Sequence, residues 1–214
     1  MPDYLLFLLI LIAALSHAVC HSILKNNKNP LGILGVTSIF EIIIFTPLVL
    51  SVPFPTTYIW ILIILSAFLH GLYRLLVVYS YQYGDLSFIY PIARGSSSLL
   101  LALISVIYLS DKISLIGFIA ILIVCFGLFL ISYSDKLKFN YTAFGLGFLT
   151  AIMITTYTLV DGIGVRNSPN PYTFLYWMLL LNGTPALVVS FLFRNNGIRV
   201  INKNLIFTGV LFGI

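Results

Sequence analysis

Residues 113–133 read ISLIGFIAILIVCFGLFLISY, an apolar run without one charged side chain. A helix needs about 20 mainly apolar residues to cross the hydrocarbon core of a bilayer. Comparable runs fill most of the chain, which is 60% apolar and only 8% charged, whereas a soluble domain carries roughly 25% charged residues. So few charges cannot cover a water-facing surface. We therefore expect an all-α polytopic membrane protein that is embedded in a lipid bilayer.

Short polar segments divide the chain into a series of predicted membrane spans. The predicted spans are 4–24, 31–52, 58–81, 86–109, 113–133, 142–165 and 172–193, and an eighth begins near residue 205. The first span has no basic segment before it and is long for a signal peptide, so we expect it to be retained as a helix.

An internal repeat is visible in the polar segments that follow the first and sixth predicted spans. Residues 25–30 read KNNKNP and residues 166–171 read RNSPNP, which places the second segment 141 positions after the first (166 minus 25). The same offset matches Glu41 in the second span with Asn182 in the seventh. The match predicts that the sixth span begins a second copy of one structural unit.

The repeat predicts the domain organisation. Residues 1–135 would form a five-helix unit, and residues 139–214 would begin a second unit that is truncated in its third helix. A unit with an odd number of helices is inverted when it is repeated, which is the plan of many secondary transporters. About 7–8 of the ten helices expected for two units would then be present.

The distribution of basic residues predicts the orientation in the membrane. The predicted loops on one side contain Lys25, Lys28, Lys136, Lys138, Arg194, Arg199 and Lys203, and those on the other side contain Lys112 and Arg166. Basic loops favour the cytoplasmic side. This predicts an N-terminus outside the cell membrane, with the bacterial inner membrane as the expected location. The net charge of +5 forms no clustered footprint, so a nucleic-acid partner is not expected.

Residues 84–95 read GDLSFIYPIARG, within the longer stretch 81–111. This stretch resembles the helix 3–4 signature of the EamA-type transporters of the drug/metabolite transporter superfamily, whose usual form is close to GDLSxVYPIARG. Residues 112–131 resemble the helix that follows in that family, and residues 157–166 resemble the start of its second repeat. The resemblance implies ten helices in two inverted units that move small metabolites or drugs, with no enzymatic activity and no cofactor.

Arg94 is the most informative ionisable residue inside a predicted span, where a charge costs about 2.5–3.5 kcal/mol. Pro91 lies before it and the Gly/Ser run 95–98 follows, so we predict a weakened helical turn with free carbonyls that suits an anionic group. The alternatives are an ion pair with Asp85 or Glu41, or snorkelling to the interface.

Glu41 lies near the middle of the second predicted span. A carboxyl group at that depth is a candidate proton carrier for coupled transport. The alternative is a neutral or paired side chain that ties helices together by hydrogen bonds. Asn182 at the matched position favours the structural alternative, because an amide cannot carry protons.

Pairs of polar residues at helical spacing lie in two other predicted spans. His17 and His21 share one helix face, as do His70 and Arg74. Two histidines without a third ligand are weak evidence for a metal, so no metal is expected. A cavity between predicted helices 1, 3, 4 and 6 would shield such residues from lipid. The complete set of candidate cavity or substrate residues is Arg94, Glu41, His17, His70, Arg74, Tyr90, Ser96, Tyr157 and Asp161.

These observations leave three functional hypotheses. The first is a secondary transporter that moves a small-molecule substrate by alternating access, with or without proton coupling. The second is a truncated, non-transporting remnant or a subunit that needs a partner chain or a second copy of itself. The third is an intramembrane enzyme at the His17/His21 face, which is disfavoured because no nucleophile–base pair and no HExxH motif is present.

Overall fold

The computed structural model describes residues 3–27, 29–108, 114–132 and 140–192, and all regular secondary structure in this part is α-helical. The helices are α1 (Asp3–Asn26), α2 (Pro30–Val49), α3 (Thr57–Ser80), α4 (Leu86–Tyr108), α5 (Leu115–Ser132), α6 (Tyr141–Asn167), α7 (Pro171–Asn182) and α8 (Thr184–Leu192). The predicted all-α class is confirmed.

Six segments of the described chain are long and apolar enough to cross a bilayer. They are α1, α2, α3, α4, α6 and the combined segment Pro171–Leu192, while α5 is a shorter apolar helix. These segments establish a multi-pass helical membrane protein, as predicted. The eighth predicted span, near residue 205, lies outside the described residues.

The predicted seventh span is broken into α7 and α8 at Gly183, which differs from the single helix predicted over 172–193. Pro185 has no amide hydrogen to donate to the Leu181 carbonyl four residues earlier. The Thr184 hydroxyl donates to that carbonyl instead, over 2.7 Å. The helix then resumes, because the Leu187 amide donates to the Gly183 carbonyl over 2.9 Å.

Helix α4 remains regular through Pro91, so the prediction of a weakened turn with free carbonyls near Arg94 is wrong. The Ser97 and Ser98 hydroxyls both donate to the Arg94 carbonyl, each over 3.0 Å. The Cys125 thiol of α5 donates to the Gly95 carbonyl over 3.2 Å. The two hydroxyls therefore bond within α4, whereas the Gly95 carbonyl joins α4 to α5.

Helix α6 lies against both α3 and α4, and α5 packs on the outside of α4. The α7–α8 segment packs against α2 and α3. Helix α1 is mostly exposed over residues 4–16 and becomes buried only near its C-terminal end, at Cys20, His21 and Leu24. Apolar side chains that point outward from such a bundle face the lipid.

Helix α2 and the α7–α8 segment begin in the same way and cross in opposite directions. Asn29 and Asn170 are their N-caps, and each is followed by a proline in the first turn. The start of α2 meets the end of α8, where the Ser190 hydroxyl donates to the Leu31 carbonyl over 3.1 Å.

Polar contacts join helix ends on one side of the bundle. The Lys25 ammonium donates to the carbonyls of Tyr81 and, over 2.8 Å, Gly84. The Asn140 amide before α6 donates to the Tyr83 carbonyl over 2.8 Å. The C-terminal ends of α1 and α3 and the N-terminal end of α6 therefore lie on one side, as the predicted alternation of spans requires.

Candidate functional site

A cavity of about 280 Å³ lies between α1, α2, α3 and α6. Its wall combines aliphatic, aromatic and ionisable side chains. The lining residues are His17, Cys20, His21, Leu24, Leu34, Thr37, His70, Tyr73, Arg74, Val77 and Tyr157. The predicted cavity was lined by helix 4, whereas the observed cavity is lined by α2 instead. Helix α4 lines only a small adjoining void of about 10 Å³.

Arg74 on the cavity wall forms a two-point ion pair with Glu41. Its Nη2 lies 2.5 Å from Oε1 and its Nη1 lies 3.1 Å from Oε2. The carboxylate is buried, with a side-chain exposure of 8%, and the guanidinium is 16% exposed. The alternative in which Glu41 pairs with Arg94 is therefore not what the structure has, because α3 presents Arg74 directly to α2.

A second ionisable pair joins α3 to α6. His70 Nε2 lies 3.7 Å from Asp161 Oδ2, with side-chain exposures of 14% and 21%. The Ser66 hydroxyl, one turn before His70, donates to Asp161 Oδ1. His70 Nδ1 faces the Ser66 backbone carbonyl at 3.0 Å. Asp161 is thus linked to the cavity by the His70 ring, which forms part of the wall.

Aromatic rings form the part of the wall next to this pair. The Tyr157 ring lies over the His70 ring, with 3.9 Å between centroids and an interplanar angle of 31°. Tyr73 meets Tyr157 edge-on, with 5.4 Å between centroids. These flat apolar surfaces favour a ligand with an aromatic or cationic portion.

A chain of hydrogen bonds connects α4, α1 and the end of α3. An Arg94 guanidinium N–H donates to His17 Nε2, so this nitrogen is an acceptor. The His21 Nε2 lies 3.0 Å from the same atom, and His21 Nδ1 lies 2.6 Å from the Tyr81 hydroxyl. If the Tyr81 hydroxyl donates to His21 Nδ1, His21 Nε2 carries the hydrogen, and Arg94 and His21 then share the single lone pair of His17 Nε2.

Arg94 forms no ion pair within the described ranges, so the alternative of a pairing with Asp85 is not found either. Asp85 is exposed in the α3–α4 connection. The Arg94 guanidinium carbon instead lies 5.8 Å from the centroid of the Tyr90 ring. The Arg94 guanidinium therefore contacts the His17 ring and the face of the Tyr90 ring next to the cavity.

The two histidines of α1 use their ring nitrogens within this network. Over the residues that the structure describes, no group of three or more His, Cys, Asp or Glu side chains could hold a metal ion. Metal binding at the His17/His21 face therefore has no support in the geometry.

The structure brings most of the predicted residues to one region. His17, His70, Arg74 and Tyr157 line the cavity directly. Glu41, Asp161, Arg94 and Tyr90 contact members of that group or the adjoining void. Ser96 is buried and lines neither space.

Two polar residues of the site were missed in the sequence. Ser66 lies four residues before His70, a spacing that already places its hydroxyl on the same helix face. Thr37 lines the cavity, yet its hydroxyl donates to the Ile33 carbonyl over 2.9 Å. Such back-bonding is common for threonine in helices, so the sequence held no signal for its position.

The described chain thus has six segments that fit a multi-pass helical membrane protein, and a cavity among them is lined by aliphatic, aromatic and ionisable side chains. No protein-family model, curated protein or solved structure matches it. The EamA-like stretch at residues 84–95 remains a resemblance, and the functional assignment depends on the cavity itself.

Proposed function

We propose that the protein is a secondary transporter of the EamA type that moves a small metabolite or drug across the cell membrane by alternating access. The observation that carries this proposal is the cavity between α1, α2, α3 and α6, with ionisable side chains on its wall. Ionisable groups inside a span are costly and usually mark a substrate or ion pathway.

The cavity volume favours a small substrate. At about 280 Å³, it lies just below the usual range of small-molecule sites, roughly 300–1,000 Å³. The Arg74–Glu41 pair leaves little net charge at that part of the wall, and the rings of His70, Tyr73 and Tyr157 supply apolar surface. A molecule with one flat portion and a few polar groups fits this wall best.

The crossing of α2 with the α7–α8 segment supports an inverted repeat. Phe45 meets Tyr176, with 6.5 Å between ring centroids, and a Cβ added to Gly35 would lie 2.6 Å from Ser190 Oγ. In an inverted repeat, a two-fold axis would exchange each residue of α2 with the residue 141 positions later. That axis must pass through the point where two residues related in this way lie closest to each other. Glu41 and Asn182 are equivalents, and Gly183 beside Asn182 approaches Glu41 Oε2.

We infer a gate from the contacts on the α1–α2 side of the bundle. Lys25 and His21 of α1 both form hydrogen bonds with Tyr81 at the end of α3. These bonds join α1 to α3 at one end of the cavity. Release of these contacts would open the cavity on the side that the basic loops assign to the cytoplasm. In this orientation the N-terminus is outside.

The test is flux in proteoliposomes that contain the purified chain. A panel of amino acids, nucleosides, organic acids and organic cations is added outside, and mass spectrometry identifies compounds that enter faster than in protein-free liposomes. We expect at least one compound to enter, and its entry should stop when a benzyl methanethiosulfonate modifies Cys20 on the cavity wall.

The matched control is Cys20→Ser, in which the reagent has no thiol in the cavity and should leave flux unchanged. Two results contradict the proposal. One is a panel in which no compound enters above the protein-free rate. The other is flux that persists unchanged after complete modification of Cys20.

A further inference from the structure

The hydrogen bonds of His70 fix which of its nitrogens carries a proton. Nδ1 lies 3.0 Å from the Ser66 backbone carbonyl. The Ser66 hydroxyl oxygen also lies 3.3 Å from Nδ1, but this hydroxyl gives its hydrogen to Asp161. A carbonyl oxygen can only accept, so Nδ1 is the donor. In the neutral ring, Nε2 then carries a lone pair, and it is this lone pair that faces Asp161.

The atoms on either side of the resulting gap are both acceptors. Asp161 Oδ1 accepts from the Ser66 hydroxyl, whereas Oδ2 faces His70 Nε2 at 3.7 Å. An ionised carboxylate and a lone pair cannot bond to each other. One added proton, on either Oδ2 or Nε2, would convert this open contact into a hydrogen bond, and its removal would restore the gap.

The other buried carboxylate lacks this property. Glu41 accepts two bonds from Arg74, and a proton on Glu41 would leave the guanidinium charge buried without its partner. Loss of one partner from a buried ion pair is strongly unfavourable. Glu41, the first candidate for proton coupling in the sequence, is therefore the poorer proton carrier of the two.

Few other charges face the His70–Asp161 pair. Helix α3 adds Arg74, whose charge Glu41 of α2 matches, and α6 itself adds Tyr157 beside His70. Arg94 of α4 contacts His17 of α1, and the His17 ring in turn contacts His21. Helices α7 and α8 contain no charged residue. Tyr73 of α3 meets Tyr157, and the titratable residues of α7 are Tyr172 and Tyr176.

We propose that His70 and Asp161 together bind and release the proton that couples to transport, and that the Glu41–Arg74 pair stays closed throughout the cycle. This inference rests on the proposed transport function. The proton joins Asp161 Oδ2 and His70 Nε2, and no other bond forms or breaks. His70 is a wall residue of the cavity, so a ligand against its ring and Tyr157 would sense whether the proton is bound.

The first test needs no transported compound. Infrared difference spectra of the purified protein between acidic and alkaline pH report carboxyl groups that change protonation. The chain has one glutamate, Glu41, and five aspartates, so ¹³C-labelled aspartate and ¹³C-labelled glutamate separate the two candidates in the unaltered protein. We expect a protonated carboxyl band that shifts with labelled aspartate and does not shift with labelled glutamate.

Variants then assign the aspartate. Asp161→Asn should abolish the band of the buried carboxyl, and the control Asp85→Asn, at an exposed loop position, should retain it. His70→Gln should move its titration midpoint. A band that shifts with labelled glutamate, or one that survives in Asp161→Asn, would overturn the proposal.

The second test separates the proton site from transport. Proteoliposomes that contain a pH-sensitive dye inside report proton movement while a compound found to enter is added. We expect proton flux with the unaltered protein and at least a tenfold loss of it in Asp161→Asn. Compound entry without proton flux would overturn the coupling but leave the transporter intact. A panel without any entry would overturn the proposed function and the coupling role with it, whereas the infrared result would still identify the proton site.

Discussion

His70 and Arg74 lie one turn apart on α3, and each faces a carboxylate on a neighbouring helix. Arg74 touches Glu41 at two points, 2.5 and 3.1 Å, whereas His70 stays 3.7 Å from Asp161. The Glu41 carboxylate is also less exposed than that of Asp161, at 8% against 21%. The closed pair satisfies both of its charges, and the open pair leaves room for a proton. Helix α3 therefore contributes to one contact that stabilises the fold and to another that would change when a proton binds.

The largest expected effect comes from removing one partner of the closed pair. Arg74→Met leaves the Glu41 charge buried alone, which should cost about 3–5 kcal/mol in the free energy of unfolding. The double variant Arg74→Met/Glu41→Leu removes both charges and should recover most of this loss. Unfolding in mixed detergent micelles measures both. A double variant as unstable as the single one would show that the pair is not closed.

Replacing each carboxylate by its amide should separate the two pairs directly. Glu41→Gln weakens two hydrogen bonds from a buried cation, and we expect a loss of about 1.5–3 kcal/mol. Asp161→Asn retains an acceptor for the Ser66 hydroxyl and should cost less than about 1 kcal/mol. The same unfolding assay compares them. Equal losses at the two positions would remove the distinction between a closed and an open pair.

Packing beside Glu41 gives a smaller effect. A Cβ on Gly183 would lie 2.6 Å from Glu41 Oε2 and 2.8 Å from the Ser38 Cα, so Gly183→Ala should destabilise the protein by about 1–3 kcal/mol. The matched control is Gly127→Ala on α5, where nothing lies within 4 Å. There the better helix propensity of alanine should leave stability unchanged or raise it by up to about 1 kcal/mol. Equal effects of the two substitutions would contradict a tight α2–α7 contact.

Much of this architecture could be predicted from the sequence because lipid imposes simple rules. The length of the apolar runs identified the spans, and the cost of a buried charge indicated that Glu41, Arg74 and Arg94 need partners. Their pairing could not be predicted, because both arginines carry the same charge. The choice depends on how closely helices approach one another, as α3 and α8 do where Gly71 packs against Pro185.

Two other features of the fold differ in how clearly the sequence indicated them. The break at Gly183 lies next to Pro185, but that proline alone did not predict it, because α4 stays regular through Pro91 and α2 through Pro47. The place of α2 in the cavity wall could not be predicted at all, since Leu34 and Thr37 look like ordinary helix residues until the bundle is assembled. The order of helices around a cavity is a property of packing, and no local sequence signal encodes it.

The central claim is that the cavity beside this pair of contacts is a route through the membrane with alternating access. Cys20 lines the cavity, and Cys125 lies between α4 and α5 with its thiol directed to the Gly95 carbonyl. The decisive measurement is the rate at which a membrane-impermeant thiol reagent modifies Cys20 in Cys125→Ser proteoliposomes, with the reagent added on one side and then on the other. We expect modification from both sides, at rates that shift in opposite directions when a transported compound is present. Modification from one side only, at a rate that no compound changes, would contradict the account.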